Sequence, residues 1–352
     1  MNIRKPCRIS QEACVFFSIV IPVCNAKRYL SHSINSVFDQ GYSNFEIILV
    51  DDGSSDGSET ICDEYASKYP EHIKVVHKQN GGSFMARRTG YDTAIGEYVI
   101  NLDADDLLLP DALHTISSVI SNTNADVVQF GFTTDYRVGN KEHPSDVDID
   151  FYPNNCKDNV LRIFCRDISG SQNPMWLKAI RRSCLKPSWD IERFAGISFG
   201  DDFLQTLYVL DSAESFCYLD AILYYYRIND SSMTHVYFPN FYKEINRCLD
   251  EGMRFARKWE GQYECDDLAV GILASKLDST AHFAEYMALT NNIPVLDELR
   301  SSDVMKNVLQ NVQALSLLRT DRRFVINCVK NGNYWLVKLL AKLRNVYRNI
   351  RK

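Results

Sequence analysis

The chain has 352 residues, 45% hydrophobic and 24% charged, with a net charge of −6; this is long enough to bury a sizeable core and suits one large domain or a domain with an appendage. The acidic balance gives no reason to bind nucleic acid, whose partners usually carry a basic excess. Eleven cysteines are scattered, odd in number and without a CxxC pair, which argues against a disulfide scaffold or a structural zinc site and for reduced thiols in a cytosolic compartment.

Residues 1–14 read as an N-terminal extension. Basic residues precede the apolar "VFFSIVIPV", as in a signal peptide, but the run is short, Pro-interrupted and lacks a small-residue cleavage site. A core strand over 16–23 is the expectation, continuous and β-branched as in strands buried on both faces. Apolar residues at helical spacing follow over 25–40, then a second buried strand in "FEIILVDDGSSD" (45–56) and a helix in "GSETICDEYASKYP". A third strand is expected over 72–78, a glycine-entered helix over 81–96, a strand in "EYVINLDADD" and another over 126–134. This alternation predicts an α/β fold, a mostly parallel sheet flanked by helices. In such sheets ligands lie beyond the carboxyl ends of the strands, where "PVCN", "DDGSSD" and "LDADD" all fall. The alternation lapses past 135 in the polar, turn-rich "DYRVGNKEHPSDVDIDFYPNN", and "FCYLDAILYYYRI" (216–228) reads as a late strand. Helices are expected at 239–260, 265–290, 293–318 and 321–350. No run reaches about 18 apolar residues, the length of a membrane-spanning helix.

Three acidic groups stand out. In "DADD", strand alternation would point Asp103 and Asp105 the same way. Two converging carboxylates call for a cation, and their oxygens suit Mg2+ or Mn2+. Asp106 would face away and, with Asp111, start and cap the next helix; a helix cap is an equal reading of the whole cluster. Asp52 of "VDDGSSD" can accept a hydrogen bond from a uracil N–H or cap its own turn. Asp201 and Asp202 of "FGDDFLQTL" precede an apolar helix, as a general base or as caps. The segment "QNGGSFMARRTG" offers a helix start that favours phosphate, but neither a P-loop nor a GxGxxG is present.

The blocks "FSIVIPVCNAKRYLSHSINSVFDQGYSNFEIILVDDGSSDGS", "NGGSFMARRTGYDTAIGEYVINLDADDLLLPDAL" and "GDDFLQ", in that order, resemble an inverting family 2 glycosyltransferase. The resemblance is strong over 16–130 and looser to about 235. It implies a GT-A fold whose donor is a UDP-sugar, with Asp52 on the uracil and Pro22, Val23 and Asn25 lining base and ribose. It further implies that Asp103 and Ala104 meet the ribose or metal shell, Asp105 ligates the metal and Arg87 lies near the diphosphate. Asp202 is then the base, with Asp201, where the family usually has Glu, supporting it. By the same resemblance "MWLKAIRRS" offers Trp176 as a sugar platform and Lys178 beside it. "YYYRINDSSMTH" offers Arg227 and Ser232 at the diphosphate and His235 for the metal shell.

These readings divide the chain into 1–14, a GT-A domain at 15–235 (a nucleotide half, 15–134, and an acceptor half, 135–235), and an α-helical region at 236–352. The last segment, 334–352, has apolar residues at helical spacing, six Lys/Arg and no acid. Such a helix either contacts an anionic membrane or packs on the domain. The expected activity is hexosyl or N-acetylhexosaminyl transfer to a glycan or lipid-linked acceptor in bacterial surface polysaccharide synthesis, in the cytoplasm at the inner membrane face. Two other readings are weighed. A nucleotidyltransferase would carry a basic glycine-rich signature after the first strand, and "PVCNAKRYL" lacks one. A non-catalytic sugar- or lipid-binding adaptor would have lost the DxD or the base, and both are present.

Overall fold

The run Phe17–Val23 (β2) is buried along nearly its whole length, as its uninterrupted apolar sequence demands. It belongs to a computed structural model that describes residues 3–350, apart from 9–15, 140–145, 186–191, 195, 198, 230–240, 264, 304 and 307–311. The elements before it and after it are β1 (Ile3–Arg8), α1 (Leu30–Phe38), β3 (Phe45–Asp51), α2 (Ser58–Lys68), β4 (Ile73–His77), α3 (Ser83–Thr93), β5 (Tyr98–Asn101) and β6 (Leu107–Leu108). Next come α4 (Ala112–Thr123), β7 (Val127–Thr133), the turn α5 (Tyr136–Gly139), β8 (Asp146–Tyr152), α6 (Lys157–Arg166), β9 (Lys178–Arg181), α7 (Asp201–Ser212) and β10 (Phe216–Tyr225).

The chain divides into two compact units, one of residues 1–160 and 173–237, the other of 161–172 and 238–352. In the first, the strands form one sheet ordered β1-β8-β10-β7-β9-β5-β2-β3-β4, with β6 paired to β10. The block β5-β2-β3-β4 is parallel, in the register Phe17 to Phe45 and to Tyr98. Its strands therefore end together, and "PVCN", "DDGSSD" and "LDADD" leave from the same edge. The β7–β10 pair is also parallel, while β9 runs antiparallel between β7 and β5. Helix α3 lies close on β2 because residue 90 has no side chain: a Cβ there would sit 2.3 Å from Cγ1 of Val20. Gly90→Ala is therefore expected to cost about 1–3 kcal/mol through overpacking. An unchanged urea midpoint would contradict this close approach.

Four strands fall where the sequence reading has none: β6 and β9, which are short, and β1 and β8. Ile3–Arg8, inside the expected extension, pairs antiparallel with β8. Strand β8 occupies "DVDIDFY" in the segment read as turns. There Val147 and Ile149 are buried and Asp148 is exposed, the alternation of a half-buried strand.

In the second unit, α8 (Phe241–Tyr263), α9 (Leu268–Leu289), α10 (Ile293–Ser301) and the helices Val312–Leu317, Thr320–Lys330 and Tyr334–Ile350 gather around α9. The helices expected over 293–318 and 321–350 are each broken. Extended backbone at Ser302 ends α10. Gly332 adopts φ +71°, and the N–H groups of Gly332 and Asn333 return to the carbonyls of Val329 and Cys328. That is a Schellman stop, which glycine permits.

Candidate active site

The guanidinium of Arg87, carried by α3 and 5% exposed, joins three carboxylates from two other segments. Its Nη2 donates to Asp103 at 2.9 Å, and its Nη1 donates to Asp201 at 3.0 Å and Asp202 at 2.9 Å. The hydroxyl of Ser83, one turn earlier on α3, also donates to Asp201, at 2.8 Å. Asp201 and Asp202 open α7 behind Gly200, whose φ of +81° favours glycine, and a helix N-terminus favours acids. Burial works against a charge on Arg87, but Asp202, Asp103 and Asp201 hold its pKa well above the ordinary value. Burial pushes the Asp202 carboxyl up to about 7, with Arg87 pulling the other way and Asp201 and Asp103 adding to the rise. Asp202 keeps 26% of its side chain exposed, so a substrate hydroxyl has access to it. Both Nη atoms of Arg87 thus face carboxylates. Its Nε, also buried, has no hydrogen-bond partner among the described residues.

The "LDADD" turn departs from strand geometry after Asn101, so its acids do not alternate as on a strand. Asp106 does not start a helix. It is buried, accepts a hydrogen bond from the Tyr224 hydroxyl at 2.8 Å and another from the Arg227 amide at 2.8 Å. Burial, then the charge of Asp103, pushes its pKa up to about 8. Asp111 precedes α4 in a left-handed conformation and makes no side-chain cap. The turn is held from several sides. The Ser33 hydroxyl donates to the carbonyls of Asp103 and Asp106, and the Asp103 amide donates to the Tyr224 hydroxyl. Arg227 Nε donates to the Asp105 carbonyl at 2.7 Å, and its guanidinium lies over the rings of Tyr29 and Tyr225. Asn229 donates to the Asp105 carboxylate.

Burial, then the neighbouring charge of Asp103, raises the pKa of Asp105. A hard divalent cation would relieve that surplus negative charge, and carboxylate oxygens are the donors it prefers; Asp103 and Asp105 are the residues that would hold Mg2+ or Mn2+. Among the described residues no group of three or more His, Cys, Asp or Glu side chains is arranged to hold a metal. His235 and Ser232 lie outside the described residues.

On the nucleotide side, Asp52 is buried and accepts from Lys78 Nζ at 2.6 Å and from the amides of Gly81 and Gly82 at 2.9 and 2.8 Å. A carboxylate has about four lone-pair positions, so one remains for a ligand donor. The Asn25 side chain accepts from the Ser55 amide at 2.9 Å, and the Asn25 amide donates to Ser54 Oγ at 3.1 Å; Asn25 thus shapes this loop, from φ +51°. Val23 is fully buried and Ala104 nearly so, while Pro22 is half-buried.

Trp176 is 8% exposed and stacks on Tyr224 and Tyr226, with ring centroids 4.6 and 5.4 Å away. Phe132, at the end of β7 and 45% exposed, meets Trp176 edge-on at 5.2 Å. Lys178 is buried, donates to the Pro174 carbonyl at 2.7 Å and lies near enough to Asp202 to lower its pKa. Thus Arg87, Asp103, Asp201 and Asp202 come together, and Asp105, Asp106, Arg227 and Tyr224 form the adjoining cluster. Sequence reasoning missed Tyr224, Asn229, Ser33, Ser83 and Phe132. The alternation in "YYYRIN", which puts Tyr224 and Tyr226 on one face, was the available signal.

A sequence profile of glycosyl transferase family 2 matches residues 18–183, the stretch holding Asp52, Arg87, Asp103 and Asp105. The chain carries a family 2 glycosyltransferase domain. Over 94 residues, 26% of the chain, it is 47% identical to the minor teichoic acid biosynthesis protein GgaB of Bacillus subtilis, and the match covers 10% of that protein. Over 136 residues, 38% of the chain, it is 35% identical to glycosyltransferase GlyG of Streptococcus pneumoniae, and the match covers 42% of it. The chain thus spans less than half the length of either. Among solved structures, residues 1–349 of S. aureus TarS in complex with UDP-GlcNAc align over 95% of this chain and 92% of that one, with TM-score 0.63 and 19% identity. The fold of this glycosyltransferase domain is GT-A.

Proposed function

We propose that the chain is an inverting glycosyltransferase that moves a hexosyl or N-acetylhexosaminyl group from a UDP-sugar to a hydroxyl of a glycan or lipid-linked saccharide in bacterial surface polysaccharide synthesis. The observation that carries this reading is the Arg87 guanidinium drawing Asp103, Asp201 and Asp202 together beside Asp105. The teichoic acid role of GgaB and the UDP-GlcNAc bound by TarS support the substrate class. The membrane face is the expected location, because a lipid-linked acceptor would be met there.

In this reading Asp52 uses its remaining acceptor position for the uracil N–H, with Pro22, the backbone at Val23, and Asn25 beside it. Asp103 and Asp105, with Ala104 between them, would hold Mn2+ or Mg2+, which supplies charge neutralisation at the diphosphate when bound. Ser232 and His235 keep the diphosphate and metal roles the family resemblance implies. Arg227 borders the diphosphate from the other side of the turn. Asp202 accepts the proton of the acceptor hydroxyl as its oxygen bonds to the anomeric carbon. The bond from that carbon to the UDP oxygen breaks on the opposite face, so one displacement inverts the configuration. Asp201 and Arg87 hold Asp202 in place, and Arg87 acts on the acids rather than on the leaving group. Phe132 and Tyr226, backed by Trp176 and Lys178, offer an apolar wall for a sugar ring.

Asp105→Ala is expected to weaken UDP binding in Mn2+ by at least about tenfold, as loss of a direct ligand should exceed the usual cost of a second-shell change, and to leave metal-free UDP binding unchanged. Titration calorimetry measures both. Unchanged affinity in Mn2+ would remove Asp105 from the metal site.

A further inference from the structure

We infer that the helix Tyr334–Ile350 is an interfacial anchor for an anionic lipid bilayer. It carries two apolar sides. Tyr334, Val337 and Ala341, spaced i, i+3, i+7, are buried, and the helix packs on α9 and on Thr320–Lys330. A second row is left outside: Trp335 is 66% exposed, Leu339 47%, Leu343 57% and Val346 56%. At 100° per residue these four fall within an arc of about 80°, well away from the buried row. Single exposed apolar residues are ordinary, but a continuous row ending in a tryptophan marks a contact surface.

Charge selects the occupant. Residues 334–352 hold six Lys/Arg and no acid, in a chain whose net charge is −6. Arg344 is directed inward, to Glu285 and Asp321, whereas Lys342 is exposed beside the apolar row. A second copy of the helix would bring like charges together, while an anionic headgroup layer complements them. The contact lies in the plane of the interface, because no helix of the described residues is long and apolar enough to cross a membrane. Trp335 has the amphipathic ring that favours the headgroup level; Lys338 is turned back to Asn291, so Lys342 is the described lysine whose stem is free to reach outward. This inference stands on the helix alone and is independent of the reaction assigned to the first unit.

The test is flotation of the whole chain with vesicles of phosphatidylcholine, and of phosphatidylcholine mixed with phosphatidylglycerol. The wild type is expected to float with the mixed vesicles and to be released by high salt. Leu339→Asp with Leu343→Asp, both at exposed positions, should weaken binding by about tenfold or more with unchanged circular dichroism. Trp335→Ala with Lys342→Glu provides a second pair should the first fail to fold. Wild type that ignores phosphatidylglycerol, or variants that float as well as wild type, would overturn the inference. So would a wild-type dimer in sedimentation that the same variants dissociate, since the row would then hold a second copy.

Discussion

Arg87→Ala is expected to lower stability by about 3–5 kcal/mol, the usual cost of removing one partner from a buried ion pair. In a unit of this size that corresponds to a fall of about 10 °C in the thermal midpoint. The guanidinium is nearly inaccessible to water and is the shared counter-charge of Asp103, Asp201 and Asp202. Without it three carboxylates face one another in a poorly solvated site. Arg87→Lys should recover only part of the loss, because one ammonium cannot reproduce the planar fork that spans both the α7 acids and Asp103. The deficit should shrink as the pH is lowered and the acids protonate. It should also shrink in Arg87→Ala with Asp201→Asn, since the two sites are in contact and their effects are not additive. A midpoint unchanged by Arg87→Ala would show that the cluster does not depend on this residue.

Asp202→Asn is expected to reduce kcat by about 10²–10⁴, the range for loss of a general base, with UDP affinity preserved. The pH profile gives the same residue a second test. Its carboxyl, raised by burial to about 7, acts as a base only when deprotonated. The kcat/KM of the wild type should therefore climb as pH rises through about 7 and then level off. The same shift means that the folded chain binds this proton more tightly than the unfolded chain does. The contribution of Asp202 to stability thus declines as pH rises from the ordinary value of 3.8 toward 7. Removing Arg87, which lowers this pKa, should move the rising limb to higher pH. An activity independent of pH across this range, or full turnover in Asp202→Asn, would exclude it as the base.

The central strands β2, β3 and β5 were legible because they are near-continuous apolar runs, a pattern set by burial on both faces. The acids at their ends were legible for the same reason, being the first polar residues after "FEIILV" and "EYVIN". What each acid does was less so. Asp103 and Asp106 are three residues apart, yet one meets Arg87 and the other Tyr224, because the chain turns between them. Their partners lie on α3 and β10, and no local spacing encodes such long-range pairing. Arg87 illustrates the limit: besides Asp103 it meets two carboxylates from a helix more than a hundred residues later, which no local pattern announces. The edge strand β1 and its neighbour β8 were missed because one is short and polar and the other is interrupted by acids on its exposed side. The break at Gly332 was missed although "KNGN" carries the glycine that a helix stop of this kind uses.

The most direct test of the central claim is to incubate the wild type and Asp202→Asn with a panel of UDP-sugars and Mn2+ and to measure UDP formed. The wild type is expected to release UDP from at least one UDP-sugar, slowly by hydrolysis without an acceptor. Asp202→Asn should bind UDP equally well and release little. A wild type that neither binds UDP nor releases it from any UDP-sugar would contradict the account.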